Sequence, residues 1–213
     1  MDNFNWLWIP GILFFLLFFW LFILKLIIRF SKKGEAMPCP FALSWIVDNP
    51  IRRWDVKNAL PRAGLRPGEK VLELGPGPGA FTIPAARLVG PQGKIIAVDI
   101  QPQMIEKVRA RLLTEGLTNV ETHVASGYQL PLDDESIDRA YLITVLPEVP
   151  DPVRCLKEIH RVLKPGGIVS MTEEFFDPDY PRRSTTIAWA EAAGFKIADS
   201  YGNWWCYTLN FRK

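Results

Sequence analysis

The sequence predicts an α/β protein: a mostly parallel sheet with helices on both faces, closed by an antiparallel hairpin and preceded by one transmembrane helix. Three observations carry this. Short β-rich runs alternate with helix-period stretches from Gly64 onward, which is the pattern of strands joined by crossover helices. Two β-rich runs at the C-terminus flank Gly202-Asn203, a dipeptide that turns one strand back antiparallel to the next. Near the N-terminus, the 19 residues from Trp6 to Leu24 carry no charge.

In chain order, strands are expected at Lys70–Leu74, Lys94–Asp99, Val120–Val124, Ile137–Ile143 and Ile168–Thr172. Helices are expected near Ala80–Val89, Pro102–Thr114, Pro152–Leu163 and Pro181–Ala193. The hairpin strands are Phe195–Tyr201 and Trp204–Phe211, which brings the sheet to seven strands and makes it mixed. The expected organisation is an anchor with a basic flank over 1–35, a juxtamembrane connector over 36–60 and the α/β domain over 61–213.

As a helix, Trp6–Leu24 spans about 28 Å, close to the hydrocarbon thickness of about 30 Å. Fourteen of its residues are Leu, Ile or Phe, favouring insertion by roughly 4–8 kcal/mol as an upper bound. No basic stretch precedes the run and no small-x-small cleavage site follows it, so it reads as an uncleaved anchor and not a signal peptide. Lys25, Arg29, Lys32 and Lys33 follow it. The positive-inside rule then puts the domain on the cytoplasmic side of a single-pass membrane protein. Pro38 and Pro40 break the chain after the anchor, and Asp48 or Asn49 is placed to cap a helix with Pro50 in its first turn. The aromatic-rich piece Phe41–Trp54 suits a place in the membrane interface, over a ligand cleft, or packed on the domain.

Composition excludes several classes. The 213 residues leave room for one domain plus an appendage. With 23% charged and 48% apolar residues, the chain is neither disordered nor a multi-span membrane protein. The whole formal charge of +2 sits in the first 35 residues. A neutral body lacks the basic footprint of a nucleic-acid binder. Cys39, Cys155 and Cys206 are scattered singly, which argues against a disulfide scaffold. With only His123 and His160, no metal site is expected.

The chemistry concentrates at two places. Gly75-Pro76-Gly77-Pro78-Gly79 follows the strand Val71-Leu72-Glu73-Leu74 directly. Glycines let a backbone turn sharply and approach a ligand with no Cβ in the way, and in an open α/β sheet a nucleotide-like ligand sits at this strand end. Asp99 ends the next strand, 24 residues after Gly75. Its two acceptor oxygens match a vicinal ribose diol. The GxGxG spacing differs from the GxGxxG of dinucleotide folds.

These residues resemble the class I S-adenosylmethionine-dependent methyltransferases, in particular the small-molecule and quinone methyltransferase-like branch. VLELGPGPG resembles their first motif, Asp99 their ribose-binding acid, and Leu130-Pro131 with Ser136-Ile137-Asp138 the entry to their fourth strand. Leu163-Lys164-Pro165-Gly166-Gly167 resembles the turn before their fifth strand, and the hairpin their reversed last strand. The likeness runs over residues 60–213. It implies a Rossmann-like seven-stranded mixed sheet and S-adenosylmethionine as cofactor. By this resemblance, Glu73 helps order the loop around the methionine end and Gly75, Gly77 and Gly79 bring the backbone against the cofactor. Asp99 holds the ribose, Ile100 lies against the adenine, and Thr144, at the start of the loop after the fourth strand, completes the set. One position departs: Ser126 stands where the family has an adenine-contacting Asp, and a hydroxyl is a weaker, uncharged acceptor.

Methyl transfer from a sulfonium is an in-line displacement with a neutral leaving group, so the protein's task is chiefly alignment. A base is needed only where the acceptor must lose a proton. Glu148 is the titratable group in the middle of the loop Thr144–Asp151 and the candidate base or acceptor-orienting residue; its alternative is to cap the helix starting at Pro152. Of Glu173 and Glu174, strand alternation turns at most one toward the site. Tyr180, Trp204, Trp205 and Tyr207 offer faces to a cation or pack the strands. The expected function is a membrane-anchored methyltransferase acting on a small or lipophilic acceptor such as a lipid head group or quinone. The competing readings are a non-catalytic tethered nucleoside-binding module, motivated by Ser126, and an NAD(P)-dependent oxidoreductase.

Overall fold

The computed structural model describes residues 11, 12, 15, 16, 19, 38–48, 50–177 and 179–213. The expected transmembrane segment lies outside them except for Gly11, Ile12, Phe15, Leu16 and Phe19, which are helical. Among the described residues no helix is long and apolar enough to cross a membrane.

The seven strands are β1 (Lys70–Leu74), β2 (Lys94–Asp99), β3 (Val120–Val124), β4 (Ile137–Ile143), β5 (Leu163–Glu174), β6 (Lys196–Gly202) and β7 (Cys206–Arg212). Seven α-helices accompany them among the described residues between Ser44 and Ala192. Three are short connector pieces, α1 (Ser44–Val47), α2 (Pro50–Asp55) and α3 (Ala59–Ala63). The others are α4 (Thr82–Val89), α5 (Pro102–Glu115), α6 (Pro152–Val162) and α7 (Arg183–Ala192). The spatial order of strands is β3-β2-β1-β4-β5-β7-β6. β1 pairs in parallel with β2 and β4, whereas β7 runs antiparallel between β5 and β6.

Burial on both faces explains the apolar strands. Alternate residues of β1 divide between two cores. Leu72 and Leu74 join Ile96, Leu142, Leu156 and Ile159 on the α6 side, and Val71 joins Ala85, Ala86, Val89 and Tyr141 on the α4 side. Both faces being covered, parallel strands read as near-continuous hydrophobic runs. The chain moves outward from β1 to β3, then returns to place β4 on the other side of β1. That reversal leaves a crevice at the carboxyl ends of β1 and β4, where open α/β sheets bind their ligands.

Three details differ from the sequence expectation. β5 begins at Leu163, which pairs with Ile137 before the register shifts to Arg139 against Ile168; the Lys164–Gly167 turn is therefore a bulge within the strand and not a connection before it. The hairpin does not turn on Gly202-Asn203 as a two-residue loop. Gly202 still pairs with Tyr207, and Asn203 Oδ1 accepts from the N–H groups of Trp205 (2.9 Å) and Cys206 (3.2 Å), an Asx-type turn that needs the longer loop. Finally, α4 starts at Thr82 and not Ala80, because the glycine loop extends its turn through Phe81.

Candidate nucleoside and acceptor site

The glycine loop is fastened at both ends. Gly75 N donates to Val98 O at 2.8 Å, tying the loop to β2. Gly75 has φ +69°, and a Cβ there would lie 2.5 Å from Cγ2 of Val145, so only glycine fits between the loop and the start of the β4 loop. Gly79, at φ +86°, packs its backbone against Val108 of α5. Between them Gly77, at φ +53°, donates its N–H to Oδ2 of Asp99 at 3.3 Å.

Asp99, 7% exposed, joins three segments. Besides Gly77, it accepts the N–H of Gln101 on Oδ1 at 2.9 Å, and its carbonyl accepts from Ala125 at the end of β3 at 3.0 Å. Burial raises its pKa, opposed by the backbone N–H groups. A carboxylate has about four acceptor positions, so two N–H bonds leave acceptor capacity for a diol. Ile100 follows and is 56% exposed, an apolar side chain at the rim. Ser126 sits in the next loop, half-buried, its Oγ accepting from Tyr128 N at 3.2 Å.

Glu73 lies beneath the loop on the α4 side and is 3% exposed. Its Oε2 and the hydroxyls of Thr82 and Tyr141 are buried without a hydrogen-bond partner. Burial drives the Glu73 carboxyl up to about 7 against the pull of those neighbouring hydroxyls, with the Asp99 charge raising it further.

On the β4 side, Thr144 takes a positive φ of 54° and donates its N–H to Thr172 O at 2.8 Å. Glu148 ends the 3-10 turn Leu146–Glu148. It does not cap α6; Asp151 does, accepting from Arg154 N at 3.0 Å. Instead Glu148 Oε2 accepts the backbone N–H of Cys39 at 3.0 Å.

The connector supplies what sequence reading missed. The Cys39 carbonyl accepts from Gln101 Nε2 at 3.0 Å, so this one residue spans from the β2 loop to the β4 loop across the crevice. Arg52 of α2 donates to both Glu174 and Thr144, with side chains 14% and 4% exposed for the Arg52–Glu174 pair. Arg52 and Arg53 are adjacent and chemically identical, and no local pattern marks the first as the one that enters the crevice. Asp48, expected as a candidate cap, pairs with Arg53 and Arg111. A cavity of about 310 Å³ lies between α1 and α5, lined by Ser44, Trp45, Asp48, Pro78, Lys107 and Arg111. It is on the outer side of the glycine loop, away from Asp99 and Glu148.

Alternation holds at the end of β5. Glu174 turns to Arg52; Glu173 turns to the other face beside its register partner Tyr207. Glu173 is fully buried with neither oxygen hydrogen-bonded. Burial, then the charges of Asp177, Glu148 and Glu174, push it well above the carboxylate range. The C-terminal aromatics pack on one another: Phe175 stacks on Trp205 at 5.4 Å and meets Trp204 and Tyr180 edge-on. Among the described residues no cluster of three His, Cys, Asp or Glu is arranged to hold a metal ion.

A doubly wound sheet with a glycine loop clasped by an acid at the switch point defines a nucleoside-binding α/β domain. A family model described as a methyltransferase domain matches residues 65–192, and the chain belongs to that family. It is 36% identical over 119 residues, 56% of the chain, to an arsenite methyltransferase of Halobacterium salinarum, and covers 30% of it. It is 36% identical over 117 residues, 55% of the chain, to a demethylmenaquinone methyltransferase of Geobacillus stearothermophilus, and covers 50% of it. The chain thus spans half or less of the length of these relatives. A solved S-adenosylmethionine-dependent methyltransferase from Aquifex aeolicus shares the fold, with a TM-score of 0.77, 23% identity, and coverage of 82% of this chain and 99% of that one. The cofactor of the class is S-adenosylmethionine, and the residues present fit it: unspent acceptor capacity on Asp99, a side-chain-free glycine cradle, and the orphaned carboxylate oxygen of Glu73 beneath that cradle.

Proposed function

We propose that the protein is a membrane-anchored methyltransferase that transfers a methyl group from S-adenosylmethionine to a small or lipophilic acceptor, such as a lipid head group, a quinone or a related metabolite. The observation that carries this reading is Asp99, which clasps the glycine loop through Gly77 N while keeping acceptor positions for a diol. When bound, S-adenosylmethionine supplies a methyl already activated on a sulfonium. The chain's own residues bind and align. Asp99 accepts the ribose hydroxyls, Ile100 covers the adenine, and Ser126 offers its oxygen to the adenine amine. Gly75, Gly77 and Gly79 bring the backbone close. Glu73 orders the loop at the cationic end of the cofactor, and Thr144 lines the crevice beside it. Glu148, half-buried across the crevice from Asp99, orients the acceptor or takes its proton. The names of the relatives, one acting on demethylmenaquinone and one on arsenite, support a small acceptor.

Anchoring is supported by the uncharged run Trp6–Leu24 and the basic residues after it. Ile12, Phe15, Leu16 and Phe19 are each more than half exposed, as lipid-facing side chains of a spanning helix are. The orientation that follows is cytoplasmic for the domain. Incubating membranes and lipid extracts with the full chain and methyl-labelled S-adenosylmethionine tests the reading. Label in a lipid-soluble product is the expected result. Binding of the donor without transfer to any extract would favour a non-catalytic module instead.

A further inference from the structure

The carboxyl edge of the sheet, where the crevice opens, also collects the exposed aromatic side chains. Phe176, 55% exposed, follows the end of β5. Trp204, 69% exposed, lies in the turn before β7, whose Cys206 pairs with Glu174 at that same end. Ile100, 56% exposed, follows the end of β2. Trp54, 68% exposed, lies in α2, two residues from Arg52, which fastens that helix to this edge through Glu174. Two of the three exposed tryptophans among the described residues are therefore at this edge; the third, Trp45, lines the cavity against α5 with Lys107 and Arg111. The opposite edge carries Leu113, 85% exposed, near the end of α5, and the bulge with Lys164.

A soluble surface does not concentrate tryptophan, whereas the membrane interface does: its amphipathic ring settles at head-group level. The chain itself says which surface is near. The uncharged run ends at Leu24 and the connector begins at Pro38 beside the crevice, leaving thirteen residues between. Fully extended, these reach at most about 45 Å, so this edge stays within a domain's width of the bilayer. The intervening Lys25, Arg29, Lys32 and Lys33, with the exposed Lys57 over the Trp54 ring, suit an anionic surface.

We propose that the carboxyl edge of the sheet rests on the bilayer, with Trp54, Phe176 and Trp204 in the interfacial layer, so that the acceptor enters the crevice from the membrane and not from solution. This rests on the reading of Trp6–Leu24 as an anchor and extends it: the anchor tethers, and the aromatic edge orients. The strap at Cys39, between the β2 and β4 loops, is then the part of the crevice wall nearest the lipid.

The test uses the full chain with Cys39 and Cys206 changed to serine, and an NBD fluorophore on one introduced cysteine: Trp54→Cys, Phe176→Cys or Trp204→Cys on the edge, Leu113→Cys or Lys164→Cys as references. Each is reconstituted in phosphatidylcholine–phosphatidylglycerol vesicles with and without a nitroxide-labelled lipid. A cooperative thermal unfolding transition within a few degrees of the unlabelled chain's identifies labelled proteins that are folded; S-adenosylmethionine binding is measured separately by calorimetry. Edge labels are expected to be quenched at least two-fold more than the references. Equal quenching at all five positions in vesicles the protein floats with would overturn the proposal while leaving the anchor intact. Failure to float would overturn both. Quenched edge labels on a protein that binds no S-adenosylmethionine would support the surface and remove the methyltransferase reading.

Discussion

Glu73 offers a sharp test of the electrostatics under the glycine loop. Its carboxyl is fully enclosed, and its pKa rises from 4.5 to about 7 on folding. A raised folded pKa means that the stability associated with this group is fully present below the unfolded value and is lost as pH climbs through the folded one. Integrated between pH 5 and pH 9, the loss from Glu73 is on the order of 2–3 kcal/mol. Glu73→Gln keeps the shape and removes the ionisation. Compared with the parent at each pH, the variant is therefore expected to gain on the order of 2–3 kcal/mol between pH 5 and pH 9. Glu173, also raised, is common to both proteins and cancels in that difference. The assay is urea unfolding in mild detergent at pH 5, 7 and 9, read as midpoint shifts with the slope unchanged. A difference between variant and parent that stays constant with pH would show that Glu73 ionises as freely in the fold as in the unfolded chain, and would refute the reasoning.

Further outcomes follow from single contacts. Arg52→Ala removes the guanidinium from buried Glu174 and is expected to cost about 3–5 kcal/mol in thermal or urea unfolding, the range for breaking a buried pair; Arg52→Ala with Glu174→Gln should recover part of it. Gly75→Ala places a methyl 2.5 Å from Val145 Cγ2 at a positive φ, for an expected loss of about 1–3 kcal/mol, part of which Val145→Ala restores. Glu148→Gln is expected to lower methyl transfer by roughly 10²–10⁴-fold if the acceptor must lose a proton, while the affinity for S-adenosylmethionine, measured separately, stays within about two-fold. A fall in affinity instead would move Glu148 from the acceptor side to the cofactor side.

Much of the fold was legible because its strands are buried on both faces and its turns are chemically marked. The apolar run Val71–Leu74 against Gly75–Gly79, with Asp99 one strand later, marks the crevice in the sequence itself. What escaped was tertiary. The start of β5 depends on Leu163 finding Ile137 across the sheet, which the glycines after it conceal. The hairpin loop was set by the Asn203 side chain bonding two N–H groups and not by the Gly-Asn dipeptide alone. The capping role weighed for Glu148 belongs to Asp151, and that was readable, since Asp before Pro152 is a helix-start signature. The crossing of Cys39 and the entry of Arg52 depend on how a connector docks on a domain, for which neighbouring residues carry no periodic pattern.

In the proposed function, the turn at Gly75–Gly79 and the carboxylate of Asp99 together hold an adenosyl sulfonium. Calorimetric titration of the full chain and of Asp99→Ala with S-adenosylmethionine, its demethylated product and NADH tests it most directly. The parent is expected to bind the first two and not NADH, with Asp99→Ala weaker by about 1–3 kcal/mol, the cost of removing one partner from buried polar groups. Tight NADH binding without S-adenosylmethionine binding, or an affinity that Asp99→Ala leaves unchanged, would contradict it.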